Sequence, residues 1–194
     1  MATVESDEED IRAVHRTLGG DAEAFRFIVL KYADRMLSFC RSRSASDEDA
    51  ADAAQEAFTR AFRSLRTFRL GASFAAWLFA IAANRTRTGW LKRASERDKM
   101  ERAGYEAAAK QEADPEEDAL RRIETERVRG QVKELPNDLR SAVEFYYFAE
   151  LSIAETAQML NVGEEAIKSR LFRARKRLRE ALEERNRNGD GGVS

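Results

Sequence analysis

Cysteine, histidine and proline are almost missing from this chain: its 194 residues contain one cysteine, one histidine and two prolines. With Cys40 alone, no intramolecular disulfide can form, and with His15 as the sole histidine no zinc site can be assembled from several Cys or His ligands. On the apolar side of a helix, Cys40 reads as a small core residue. Pro115 and Pro136 are the only proline breaks in long amphipathic runs and strand-type alternation is absent, so the fold class is all-α. No apolar run approaches the length that spans a bilayer, and the acidic N-terminus has no signal-peptide hydrophobic stretch. A cytoplasmic protein with no membrane contact is therefore expected. A Gly-rich phosphate loop, a metal-ligand cluster and a histidine beside a nucleophile are also lacking, which leaves no case for an enzyme, a metal or a cofactor.

Lys and Arg total 34 against 35 Asp and Glu, a formal net charge of −1. A neutral balance is unusual for a stand-alone nucleic-acid binder, yet the charge is segregated along the chain. Arg85, Arg87, Lys92 and Arg93 make one basic block and Lys168 to Arg179 a second, while Glu5 to Asp10 and Glu112 to Asp118 are acidic. The second acidic stretch holds Pro115 and follows an alanine-rich run, which is the composition of a mobile linker. The expected organisation is two small helical domains, over residues 10–95 and 126–186, joined by a flexible acidic linker over 96–125 and followed by a disordered tail over 187–194.

The most informative stretch runs from Leu151 to Leu178. Ser152 and Glu155 have the spacing of a capping box, which fixes where a helix starts. Asn161-Val162-Gly163 then ends it: Asn tolerates the left-handed conformation, Val162 can point back into a small core, and Gly163 places little steric demand on the reversal. In the helix that follows, Ile167, Leu171, Ala174, Leu178 and Leu182 fall on one apolar stripe. Glu165, Ser169, Phe172, Arg173 and Lys176 project from the other side, with Lys168 among the candidates beside them. Phe172 is a large aromatic well off the apolar stripe, and a surface that meets thymine methyls or sugar edges accounts for it. This is the layout of a helix-turn-helix DNA reader. The alternative is a solvated helix end whose cations favour the dipole; the capping box, turn, stripe and offset basic face together favour DNA.

In the N-terminal part, Asp21 can cap a helix from Ala22 to about Arg41 with Phe25, Ile28, Val29, Tyr32, Met36, Leu37 and Cys40 inward. A second helix starts near Asp47 and buries Ala50, Ala54, Ala57, Phe58, Ala61, Phe62 and Leu65, leaving Asp49, Asp52, Gln55 and Glu56 as an acidic outer surface. A loop from Phe68 to Ser73 with Gly71 at its tip leads to a third helix from Phe74, with Trp77, Leu78, Ile81 and Ala82 inward.

Asp52-Ala53-Ala54-Gln55-Glu56-Ala57-Phe58, then Phe68-Arg69, then Phe74-Ala75-Ala76-Trp77-Leu78-Phe79-Ala80-Ile81-Ala82-Ala83-Asn84, resemble region 2 of bacterial extracytoplasmic-function (ECF) sigma factors of the sigma-70 family. Leu135-Pro136 through Leu178 resemble their region 4. The resemblance implies a factor that binds core RNA polymerase, through the β′ clamp helices and the β flap, and directs it to promoter DNA. It implies core binding by Asp49, Asp52, Gln55 and Glu56. It implies −10 contacts by Arg69, Gly71 and Ser73 in a base-capturing loop, by Asn84 near the bases, and by Arg85, Arg87, Lys92 and Arg93 along the phosphates. For the −35 element it implies Glu165, Lys168, Ser169, Phe172, Arg173 and Lys176. An anti-sigma factor as a further partner is also implied. Thr88-Gly89-Trp90, Tyr146 and Gly163-Glu164-Glu165 depart from the usual family pattern. The competing reading is an autonomous helix-turn-helix activator or repressor, which would bind a two-fold symmetric operator without polymerase.

Overall fold

A buried carboxylate organises the start of the chain, where sequence pattern suggests only an acidic segment. In the computed structural model, which describes residues 2–84, 86 and 126–189, helix α1 spans Ala2–Leu18. It buries Ala13 and Val14 and, with them, Asp10. The Tyr32 hydroxyl donates to Asp10 Oδ2 at 2.5 Å and Lys31 Nζ donates to Oδ1 at 2.6 Å. Two donors, one of them cationic, offset the desolvation that would otherwise exclude an ionised carboxylate from the interior. Glu5 to Asp10 is therefore helical backbone, and Asp10 belongs to the core rather than to a repulsive acidic segment.

Helix α2 spans Glu23–Arg43. Asp21 accepts from the Ala24 N–H at 3.2 Å, and its hydrogen bond from Arg16 holds its carboxyl below the ordinary range. The inward row is Phe25, Ile28, Tyr32, Met36, Phe39 and Cys40, with Val29 and Leu37 half-buried at its margin. Burial pushes the Cys40 thiol up to about 12. Helix α3 spans Asp47–Ser64, and Ser46 caps it by accepting from the Asp49 N–H at 3.1 Å. Asp47, Glu48 and Asp49 fill its first turn, where carboxylates complement the dipole.

The inner face of α3 is an alanine seam: Ala50, Ala53, Ala54, Ala57 and Ala61 are all buried, and it lies on α2. Small residues let the two backbones approach, and this moves the large neighbours to the rim. Phe58 is half-buried, and Phe62, expected inside, is 45% exposed with its ring edge-on to Phe25 at 5.1 Å. A 3₁₀ turn over Leu65–Thr67 leads into the loop, and helix α4 runs over 74–84. Phe74, Leu78, Phe79 and Ala82 are buried, and Arg43 Nε, at the end of α2, donates to Thr86 Oγ1 at 2.8 Å.

The chain divides into two compact units: one covers residues up to 108 with Phe148–Leu151, and the other the remainder. In the second unit, α5 runs over 126–133 and α6 over Asn137–Val143. A π-helical turn, Glu144–Phe148, follows, then α7 (Ile153–Leu160) and α8 (Glu164–Gly189). Residues 187–189, expected in a disordered tail, are helical backbone of α8. There is no strand among the described residues, and none of their helices is long and apolar enough to cross a membrane. The expected linker over 96–125, with Glu112 to Asp118, lies outside the described residues, as do Arg85, Arg87, Thr88-Gly89-Trp90, Lys92 and Arg93.

Candidate nucleic-acid interface

The helix-turn-helix is set by a few local bonds. Ser152 Oγ accepts from the Glu155 N–H at 3.2 Å and Glu155 Oε2 accepts from the Ser152 N–H at 2.7 Å, so both halves of the capping box are made. At the other end of α7, Asn161 adopts the left-handed conformation with φ 52 and ψ 50. The Val162 N–H reaches back to the Ala157 carbonyl at 3.0 Å and the Asn161 N–H to that of Gln158 at 3.2 Å, the bond pattern of a Schellman stop. The reversal falls on Asn161, whereas a Cβ at Gly163 would meet nothing. The Gly163 carbonyl instead starts α8, accepting from Ala166 at 3.1 Å and Ile167 at 3.3 Å.

Ile167, Leu171 and Ala174 of α8 are buried, and Leu178 and Leu182 are half-buried towards its end. That fixes the helix's rotation and turns Glu165, Lys168, Ser169, Phe172, Arg173 and Lys176 outward, all exposed. Phe172 stands out at 64% exposure. All six expected residues therefore share one open face. It is less positive than its sequence suggests, because Lys168 Nζ donates to Glu165 Oε1 at 2.6 Å. That bond raises the Lys168 pKa above its ordinary value. Asp138, which sequence reading did not single out, lies 3.9 Å from Arg170 and 4.0 Å from Arg173. Tyr146 is half-buried in the π-helical turn and packs edge-on against Tyr147 at 4.9 Å.

In the first unit, the loop after α3 stands on an aromatic base. Phe68 packs against Phe74 at 5.3 Å and Trp77 at 5.5 Å, and Phe74 against Trp77 at 5.5 Å. Trp77, expected in the core, is half-buried, with its rings closing the bottom of this base. Above it Arg69, Leu70, Gly71 and Ala72 are exposed. Gly71 has φ 93, a conformation that side-chain-bearing residues rarely adopt, and the Ala72 N–H closes the turn on the Arg69 carbonyl at 3.2 Å. Ser73 Oγ accepts from the Ala76 N–H at 3.1 Å, so the hydroxyl expected to meet a base also caps α4. Asn84 is exposed at the other end of α4.

On the outer face of α3, Asp52 and Gln55 are exposed and Asp49 and Glu56 partly so. Glu56 Oε1 accepts from Arg60 at 2.6 Å. Phe62, which the sequence pattern places inside, lies on the rim of α3 against Phe25. Among the described residues no group of His, Cys, Asp and Glu could hold a metal ion.

Residues 28–96 match the family described as Sigma-70 region 2, and residues 125–178 match Sigma-70, region 4. The chain is 31% identical over 185 residues to the RNA polymerase sigma-H factor of Pseudomonas aeruginosa, covering 92% of this chain and 96% of that protein. It is 32% identical over 172 residues to the ECF RNA polymerase sigma-E factor of Escherichia coli K12, covering 85% and 90%. Its fold is similar to the sigma factor RpoE of Bartonella quintana, solved with the anti-sigma factor NepR. There the TM-score is 0.66 and the identity 25%, over 82% of this chain and 96% of that one. A likeness in fold also extends to CnrH, solved with the cytosolic domain of CnrY, at TM-score 0.68 and 23% identity, over 90% of this chain and 97% of that one.

Proposed function

We propose, from the premise that this chain belongs to the ECF group of the sigma-70 family, a division of labour between its two units. The protein is a promoter-directing sigma factor. In our reading a functional domain over residues 10–95, within the first unit, holds core polymerase and handles the −10 element, and one over 126–186, mostly in the second unit, reads the −35 element.

The observation that carries this reading is the exposed face of α8, presented by a completed capping box and a left-handed Asn161. Arg173 and Lys168 have the reach for base edges and phosphates in a major groove, and Phe172 for a thymine methyl or a sugar edge. Ser169 can donate and accept, Glu165 can accept from a cytosine amino group, and Lys176 lies along the strand. In the first unit, the outer face of α3 with Asp49, Asp52, Gln55 and Glu56 is the surface for the β′ clamp helices, and the β flap contacts the second unit. Arg69, Gly71 and Ser73 form the loop that takes an unpaired base. Gly71 allows close backbone approach, and Asn84, Arg85, Arg87, Lys92 and Arg93 follow the strand beyond it. The factor itself catalyses no reaction, because polymerase supplies the active site, and it acts in the cytoplasm where polymerase is. An anti-sigma factor that covers these faces keeps it inactive, in keeping with the NepR complex of the Bartonella relative.

The test is run-off transcription by core polymerase with and without this protein, on promoter templates selected from a randomised library. It is paired with fluorescence-anisotropy titration of the same duplexes. Specific initiation that needs both the protein and core enzyme is expected, with poor binding by the free protein. Nanomolar, sequence-selective binding by the free protein would replace this reading with an autonomous regulator.

A further inference from the structure

The cations on the reading face of α8 sit beside carboxylates. Lys168 is bonded to Glu165 at 2.6 Å and Lys176 lies 4.0 Å from Glu180, both within one helix at the spacing where surface pairs routinely form. Asp138 is different. It comes from the first turn of α6, outside the helix-turn-helix, and its Oδ2 lies 3.9 Å from Arg170 Nε and 4.0 Å from an Arg173 guanidinium nitrogen. The Arg170 side chain is only 22% exposed, whereas that of Arg173 is 57% exposed. An acid in the first turn of α6 is accounted for by the helix dipole. The dipole does not account for two guanidinium groups brought to one carboxylate by a second helix.

We propose that Asp138 is a positioning residue that sets the specificity of −35 recognition. It draws Arg173 toward the edge of the reading face and offsets the charge that Arg170 and Arg173 offer to phosphates. This rests on α8 being the −35 reader. The argument turns on the different demands of two kinds of contact. A phosphate contact needs positive charge and tolerates many orientations, and it is the same on every sequence. A bidentate contact to a guanine needs the guanidinium plane in one orientation. A carboxylate 3.9–4.0 Å from two arginines competes with phosphates for both groups. On mismatched DNA Arg173 has only phosphate to bind and this competition counts in full, whereas on matched DNA Arg173 is committed to the base and phosphate holds it little. Discrimination is a ratio of affinities, so a term that weakens the mismatched complex more than the matched one raises it without any new contact to the correct site. Asp138 is thus a counter-charge against wrong DNA, carried by a residue that need not touch DNA at all.

The test uses holoenzyme reconstituted from core polymerase and the full chain. Two fork-junction duplexes share one −10 element. One carries the −35 sequence enriched from a randomised library by the wild-type holoenzyme, the other a scrambled −35 sequence. Asp138→Asn keeps the size and polarity of the side chain and removes its charge. Expected is a gain of about 3- to 10-fold in affinity for the scrambled duplex and less than about 2-fold for the matched one. The salt dependence on the scrambled duplex should steepen by about one counterion. Asp138→Glu restores the wild-type ratio, which a purely structural role for the aspartate shape would not do. In an Arg173→Ala background, Asp138→Asn has a smaller effect. Equal gains on both duplexes, or no change on either, would overturn the proposal. A wild-type holoenzyme that binds both duplexes equally overturns the −35 reading itself, and that outcome is separate because it appears before any substitution is made.

Discussion

The Tyr32 hydroxyl and the Asp10 carboxylate meet at 2.5 Å in the interior of the first unit, and this bond joins α1 to α2. Lys31 shares the same carboxylate, so removing Asp10 leaves a hydroxyl unsatisfied and a half-buried ammonium without its nearest counter-charge. Asp10→Ala is expected to destabilise the first unit by about 3 kcal/mol, and Tyr32→Phe by about 1 kcal/mol. Urea unfolding of both variants and of the double variant checks this. A double-mutant cycle with no coupling energy would show that the two groups act independently.

Alkali should weaken the fold before acid chemistry has any part in it. Burial holds the Cys40 thiol in its neutral form up to about 12, against an ordinary value of 9.0. The Tyr32 hydroxyl is pushed up as well, by burial first and by Asp10 second. Below pH 9 both thiol states are protonated and the contribution of Cys40 is complete. Between about 9 and 12 the unfolded chain releases the proton while the folded chain keeps it, so stability falls as pH rises. Thermal melts across this window should show a steep decline in the wild type and a shallower one in Cys40→Ala.

Asn161 adopts the left-handed conformation between α7 and α8. Alanine there retains a Cβ and loses the local polar compensation that suits Asn to this region, and should cost about 1 kcal/mol. Glycine should be neutral within a few tenths. Binding to a −35 duplex in holoenzyme should follow the same order, because this residue sets the angle at which α8 leaves the turn. An alanine variant as stable as the wild type would show that the turn is held from elsewhere.

Asp52 and Gln55 are exposed on α3, and Glu56 is engaged by Arg60 alongside them. Replacing Asp52 and Glu56 together by Lys should weaken core-polymerase binding at least tenfold while circular dichroism stays unchanged, since neither side chain belongs to the alanine seam. Wild-type affinity in the double variant would move the docking surface to another face.

What sequence made legible was local. Ser152, Glu155, Asn161 and the stripe from Ile167 to Ala174 all act within one contiguous stretch, and each is a residue type with a specific backbone consequence. The structure reproduces that stretch bond by bond. Helix α1 was illegible because its inward face holds Asp10 at a position that periodicity reserves for apolar residues, and the compensating donors come from α2. Phe62 was misplaced for a related reason. A stripe read by size favours phenylalanine over alanine, whereas the packing of α3 on α2 selected the alanines and left Phe62 on the rim. Asp138 was missed because its arginine neighbours lie two helices further along the chain, and nothing in the local spacing joins them.

The alanine seam also couples two properties that are usually free to vary separately. Surface residues of a small helical unit can diverge while its interior is conserved, or the reverse, when a layer of large, adaptable side chains lies between them. Here Ala53, Ala54, Ala57 and Ala61 leave no such layer, and Asp52 and Gln55 alternate with them along a single helix. Any lineage that enlarges one of these alanines must shift the whole of α3 relative to α2, and with it the position of every group on its outer face. The inner residues of α3 therefore fix the placement of its exposed carboxylates, although none of them reaches that surface.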